Sequence, residues 1–585
     1  MKPIAAIKKI RADNANRHIR LKIALLALFP LFLTLTTEAA HLNSFFALLK
    51  FMAGKPSVIF FDVLIISLMY AAFLLLSRSA FVSVAVCSCM FYIFSFVEFF
   101  KYESNGMHFN ISDMMMTANV GDIAKFTSFR FTAGLVLTFL ALFAYAAVVF
   151  LLNVKLSVRK RTGVVSGVCA LSAFMSFFAL KPVCDRVYAF FEVNAGEDYN
   201  LFVSDEKFKD NMLIADIAVS VSKQFEHILS APEEYGMETI DAILGSGAEY
   251  APEIGEKPDV IVIMCESYSD LRLVDGVSVP GGVYASFDAV AEKSFSGRAI
   301  VPTLGNGTVR TEFELMFGLP VKSLNNSFLP HYLLKADGVT EETFAKHYKD
   351  AGYSAYYLHP YKPYFYGREK IYSEYGFDRL LFLDDFDVEP SYFFNYYDDA
   401  TVFNQILSLL DESDSPSYIH ATTIQNHKPY AHEDFDGTDM DYYYAGIEKT
   451  GDALLDFYDA ISERERPAIV LFMGDHFPFF GIESDIYREA GINAGNCAVL
   501  YEQTYLVFSN FDADLGVMPD GVVSAFYLPH LLSAAINGAN GDFIPAMLAK
   551  MLETPVYTDA GAYAKEDGEL DMLAYDRTVG DRYSE

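Results

Sequence analysis

Five apolar runs, each about as long as the hydrocarbon core of a bilayer is thick, fill the first third of this chain and limit what it can fold into. They are Leu21–Thr37, Val58–Leu76, Ala80–Phe99, Phe131–Leu152 and Val164–Leu180. In hydrocarbon every backbone donor and acceptor has to be satisfied within its own segment, so runs of this length form spanning helices. Two positive clusters flank them. Lys2, Lys8, Lys9, Arg11, Arg17, Arg20 and Lys22 surround the start of the first run, and Lys155, Arg159, Lys160 and Arg161 separate the fourth from the fifth. Positive flanks stay in the cytoplasm. With the N-terminus inside, five crossings leave the second cluster inside and everything after Lys181 outside. A cleavable signal peptide is the competing reading of the first run, and the spans that follow it argue against that. The expectation is a multi-pass cell-membrane protein with an extracytoplasmic remainder.

That remainder is large. The chain has 585 residues, enough for two or three folding units. The pattern divides it into a transmembrane domain over 1–183, a juxtamembrane helix and linker over 184–257, and a catalytic domain over 258–585. Lys207–Leu229 is the helical stretch of the middle segment. A formal net charge of −32 excludes nucleic acid as a partner. The six cysteines are scattered without a CxxC pair, which indicates neither a disulfide framework nor a thiolate zinc site.

From Pro258 the pattern changes. Val260–Cys265 and Ala468–Met473 are short, nearly continuous apolar runs, as in strands buried on both faces. Helical patterns such as Thr340–Ala351 and Tyr444–Ile461 alternate with them, which predicts an α/β domain with a mostly parallel sheet. Ligands of such sheets gather beyond the carboxyl ends of the strands. Glu266 ends the first run, and Asp475 and His476 follow the second. Adjacent carboxylate and imidazole donors suit a divalent cation. Between them in sequence lies GNGTVRTEFELMFG, Gly305 to Gly318, where glycines lead into a helical pattern starting at Thr308. A helix start favours an anion. Thr308 is therefore either a reactive hydroxyl at an anion site or an ordinary helix cap, with Thr311 and Glu312 in the first turn.

These pieces, in this order, resemble the lipoteichoic acid synthase family of sulfatase-fold, alkaline-phosphatase-like membrane transferases. The carriers of the resemblance are Glu266-Ser267, Gly305-Asn306-Gly307-Thr308 with Glu312-Phe313, Arg368 in YGREKIYSEYGFDRL, Asn426-His427-Lys428-Pro429, Asp475-His476 and the closing YDRTVGDRY, Tyr575–Tyr583. The resemblance implies that Glu266, Thr308, Asp475 and His476 bind one divalent metal, usually Mn²⁺, with Mg²⁺ and Zn²⁺ also compatible with such donors. It implies that Thr308 is the nucleophile and that His427, Arg368 and Tyr366 hold glycerol-phosphate. The implied donor is a phosphatidylglycerol-type lipid, and the implied acceptor is a glycolipid, polyglycerol-phosphate or glucan. Tyr366 stands where the family often has tryptophan, a residue absent from this chain, and Thr504-Tyr505 replaces a family Thr-Pro. No Cys-x-Pro-x-Arg element occupies the nucleophile position, which argues against a formylglycine sulfatase. Transfer of phosphoethanolamine, transfer of phosphoglycerol to a glucan, and hydrolysis by a phosphodiesterase or phosphatase of the same fold are the alternatives. His359 and His420 read as structural residues, and Cys265 as a small buried hydrophobe.

Overall fold

A computed structural model describes residues 2–14, 17–114, 121, 131–196, 201–226, 230–247, 257–325, 327, 329–334, 341–482, 485–538, 541–560, 563 and 565–584. They divide into two compact units, the first within residues 2–226 and the second within 230–584.

Five helices of the first unit are long and apolar enough to cross a membrane: Ile19–Leu42, Pro56–Ser77, Ala80–Ser104, Ala133–Leu152 and Lys160–Phe178. Each contains or nearly contains one of the expected runs, and Leu180 falls just beyond the last. Apolar side chains such as Leu137, Phe139 and Phe143 point outward from this unit, as lipid contact requires. Arg11 ties the two positive clusters to one end: its Nη2 donates to Asn153 Oδ1 at 3.2 Å, and its guanidinium lies 4.0 Å from the centre of the Phe150 ring.

The Leu201–Glu226 helix lies within the juxtamembrane helix and linker expected over 184–257. Its backbone breaks at Met212, with φ of 59°. The amides of Leu213 and Ile214, which the break releases from the helical ladder, donate to the Glu38 carboxylate at 3.1 and 3.0 Å. Leu213, Ile214 and Ala215 are buried within the first unit. One inward acid thus fixes a kink whose buried amides could not be left unpaired. The expected stretch ends at Leu229, outside the described residues.

The second unit is built on an eight-stranded sheet. Its strands are β1 (Asp259–Cys265), β2 (Phe295–Ile300), β3 (Ser354–Leu358), β4 (Arg379–Leu381), β7 (Ser417–Thr422), β8 (Ala468–Gly474), β9 (Glu502–Ser509) and β10 (Val523–Ser524). A separate two-stranded ribbon pairs β5 (Tyr392–Phe393) with β6 (Tyr396–Tyr397). The order across the large sheet is β10-β2-β9-β8-β1-β7-β3-β4. All pairings are parallel except those of β9, which runs against both β2 and β8. β1 and β8 lie next to each other at the centre and are buried along their whole length, which is why their sequences do not alternate. Helices such as Asp399–Glu412 and Asp439–Ser462 cover the sheet. The expected Thr340–Ala351 helix is observed as Phe344–Asp350, Thr340 itself lying outside the described residues.

The closing YDRTVGDRY works as a clasp. Asp576, fully buried, accepts from Tyr235 Oη at 2.6 Å, from the amides of Tyr583 and Ser584 at 2.9 and 2.8 Å, and from Ser584 Oγ at 2.6 Å. Removing the acceptor strands buried donors. Asp576→Ala should therefore destabilise the second unit by roughly 2–4 kcal/mol and expose its last residues to protease, whereas Asp576→Asn should cost less. Unfolding curves and limited proteolysis of the full chain check this.

Candidate active site

Four neighbouring parallel strands, β8, β1, β7 and β3, end on one edge of the sheet, and the residues just past them face one another. The β1–β8 register pairs Cys265 with Gly474, which sets Glu266 beside Asp475. β7 leads into Thr423–Lys428, and β3 into His359. The resulting cleft is lined by Glu266, Thr308, His359, Tyr366, Arg368, His427, Lys428 and His476, among others.

At its floor the donor atoms of Glu266, Asp475 and His476 lie within 4.8 Å of one another, all buried. Asp475 Oδ1 accepts from the amides of Ser267 and His476 at 2.7 and 2.8 Å. Its Oδ2 has no hydrogen-bond partner although it is buried. His476 donates Nδ1–H to the Phe477 carbonyl at 3.0 Å, so the neutral ring turns its Nε2 lone pair toward Asp475 Oδ2 at 3.2 Å and Glu266 Oε1 at 4.0 Å. Converging lone pairs without a proton between them fit a bound divalent cation. Burial, reinforced by the neighbouring Asp475 carboxylate, pushes the pKa of Glu266 well up, and burial also raises that of Asp475. A cation would relieve both.

Thr308 opens the Thr308–Phe317 helix as its first residue; the cap is Gly307, which makes no side-chain cap bond. Gly305 and Gly307 hold left-handed backbone, φ 71° and 81°, and turn the loop into the helix. The Thr308 hydroxyl does not cap the helix. It points to Glu266 Oε2 at 3.4 Å.

Arg368 is buried in the wall of the cleft and paired there. Its Nε and Nη2 donate to Glu312 Oε2 at 3.1 and 2.9 Å, and Nη1 meets His359 Nε2 at 3.2 Å. Glu312 also accepts from the hydroxyls of Tyr357, Tyr372 and Thr422 at 2.7, 2.8 and 2.7 Å. Burial would raise the Glu312 pKa, but the Arg368 guanidinium and the hydrogen bonds from Tyr357 and Thr422 together outweigh it and hold the carboxyl at about 2. Tyr366, in left-handed backbone at φ 57°, lies under Arg368 with 5.1 Å between guanidinium carbon and ring centre. His427 donates Nδ1–H to the Lys428 carbonyl at 2.6 Å, so in the neutral ring Nε2 is an acceptor. Burial takes the His359 and His427 pKa values down to about 3, so neither imidazole brings charge to the cleft. Lys428 Nζ reaches the Gly305 carbonyl at 3.5 Å; burial lowers its pKa to about 8, and Glu266 opposes that shift.

Thus all seven expected site residues gather in or directly under this cleft. His359 joins them, whereas His420 is buried within β7 and does not line it. Glu312 and Lys428 were visible only as members of motifs, since residue spacing does not say which acid will meet which cation.

Residues 258–499 match the family model for sulfatases. The second unit is a sulfatase-fold domain. In the same alkaline-phosphatase-like class, the structure of the Streptococcus pyogenes phosphoglycerol transferase GacH in complex with sn-glycerol-1-phosphate superposes with a TM-score of 0.51 at 21% identity, covering 61% of this chain and 97% of that one. Two Rhizobium meliloti proteins are similar in sequence. One, named for capsular polysaccharide biosynthesis, is 28% identical over 40% of this chain; the other, named for cyclic beta-1,2-glucan modification, is 24% identical over 43%. The matches cover 44% and 40% of those proteins, so the chain spans less than half the length of either.

The Glu312–Arg368 pair of the sulfatase-fold domain gives a pH signature. A carboxyl whose folded pKa is depressed stabilises the fold above its unfolded value near 4.5, and that contribution is lost as pH falls toward 2. Glu312→Gln should lower stability at pH 7 by about 3 kcal/mol, and its deficit against the parent should shrink between pH 4.5 and 2. Denaturant unfolding of the full-length protein across that range is the check.

Proposed function

We propose that the protein is a membrane-anchored phosphotransferase that moves glycerol-phosphate from a phosphatidylglycerol-type lipid to a hydroxyl acceptor through a phosphothreonine at Thr308. The sulfatase-fold domain lies outside the cytoplasmic membrane in this reading, as the paired positive clusters at one end of the first unit support. The observation that carries the reaction is the Thr308 hydroxyl, which makes no cap and stands at a glycine-led helix start against the buried Glu266–Asp475–His476 triad.

A divalent cation, Mn²⁺ in this reading, would be held by Glu266, Asp475 and His476 with Thr308 beside it, and would supply positive charge that acidifies the hydroxyl and offsets charge on phosphate. Thr308 Oγ forms the bond to phosphorus as its proton is released. The bond from phosphorus to the diacylglycerol oxygen breaks, and that oxygen takes up a proton. The amides of the helix start face the phosphoryl oxygens. Arg368, held in place by Glu312, offers Nη1 from the wall, and Tyr366 stacked beneath it closes the side where the head group lies. An acceptor hydroxyl then attacks the phosphothreonine and frees Thr308. The relative named for glucan modification favours a glucan among the acceptors, and water as acceptor would make the protein a phosphodiesterase.

Thr308→Ala keeps a good helix former at a position without a cap bond, so stability should hold while turnover falls by orders of magnitude. Thr308→Ser should retain partial activity. Mass spectrometry of the full-length protein incubated with phosphatidylglycerol and Mn²⁺ should find glycerol-phosphate on Thr308. A fully active alanine variant, or an adduct on another residue, would exclude this mechanism.

A further inference from the structure

Given phosphotransfer by Thr308, on which the selectivity inferred here rests, the charges that line the cleft bear on which lipid head group it admits. Phosphatidylglycerol and phosphatidylethanolamine bring the same phosphodiester charge. They differ in the group that stays on phosphorus while it is attached to Thr308, a neutral polyol in one and a primary ammonium in the other.

Among the described residues, the only carboxylate lining the cleft is Glu266. It belongs to the triad at the floor, where its Oε1 accepts from Ser267 Oγ at 2.9 Å. Glu312, the nearest acid behind the wall, accepts five hydrogen bonds from Arg368, Tyr357, Tyr372 and Thr422, and it does not line the cleft. Two cationic side chains do line it, Arg368 and Lys428, and both act on Glu266 from the cleft side. Lys428 is anchored beside the nucleophile, since its ammonium reaches the carbonyl of Gly305 in the loop that ends at Thr308. An aromatic wall could otherwise take an ammonium through its ring faces. Here Arg368 already covers Tyr366, Lys362 lies 6.0 Å from the centre of the Tyr361 ring, and the other aromatic rings that line the cleft, Phe365 and Tyr430, pack edge-to-face with Tyr361 and Tyr443.

We infer that the cleft selects neutral, hydroxylated head groups against ammonium head groups, and that Lys428 is the specificity-determining residue. A partly desolvated ammonium on the Thr308 phosphate would face two like charges, and the carboxylate that lines the cleft, Glu266, is committed to the triad. A polyol has no such penalty, and His427 Nε2 and the tyrosine hydroxyls of the wall suit its hydroxyls.

The test uses the full-length protein in vesicles with Mn²⁺ and either phosphatidylglycerol or phosphatidylethanolamine as donor, at matched surface charge set by an inert anionic lipid. Diacylglycerol release gives kcat/KM, and the mass of the Thr308 adduct identifies the group carried. The parent should prefer phosphatidylglycerol by roughly tenfold or more, the scale of one screened charge contact. Lys428→Glu should narrow that preference by a similar factor and raise phosphatidylethanolamine turnover in absolute terms, with Lys428→Gln between the two. A purely structural role for Lys428 would lower both turnovers together, and that result would overturn the inference, as would a parent enzyme indifferent to the two lipids. Both of those outcomes leave phosphotransfer by Thr308 standing. Turnover of neither donor, with Thr308 unmodified, would instead remove the proposed function and this inference with it.

Discussion

The register between β1 and β8 carries Glu266 and Asp475 side by side into the interior, and the electrostatic cost of that placement organises the rest of the site. Two like charges out of water cost several kcal/mol each unless a counter-charge or a proton meets them. The local hydrogen bonds go to one oxygen of Asp475, leaving Oδ2 without a partner and facing the His476 lone pair. Such a strand edge is stable with a cation and strained without one. Thr308 comes to it from the side, on a helix whose start two left-handed glycines set, so its hydroxyl meets Glu266 where an anion is favoured.

The cleft wall solves a second electrostatic problem. A buried guanidinium needs a buried partner, and Glu312 provides it from the same helix that Thr308 begins. One ten-residue helix thus presents Thr308 at its first position and fixes the orientation of Arg368 through its fifth. Because that fork is occupied, Arg368 contributes to the cleft mainly through Nη1 and through its stack on Tyr366. Lys428, on the loop after β7, brings a second cationic side chain to the cleft, beside the loop that ends at Thr308.

Much of this was legible in the sequence. The five apolar runs gave the spans within a few residues, because hydrocarbon allows one backbone solution. Unbroken apolar runs ending in Glu266 and Asp475-His476 gave both central strands and the site at their tips, because a strand covered on both faces cannot alternate. What the pattern hid were pairings across long separations. Nothing local says that Glu312 meets Arg368, or that Glu38 stabilises the kink at Met212, and the polar look of Leu201–Glu226 concealed a buried face. That Gly307 rather than Thr308 caps the helix also needed coordinates, since it turns on which residue precedes the first helical one.

The most direct measurement is the position of the metal itself. Crystals of the protein grown with Mn²⁺ and measured at the manganese absorption edge should show one anomalous peak between Asp475 Oδ2, His476 Nε2 and Glu266, with Thr308 Oγ1 at its edge. A peak elsewhere, or none at these atoms in crystals holding manganese at other sites, would contradict the account.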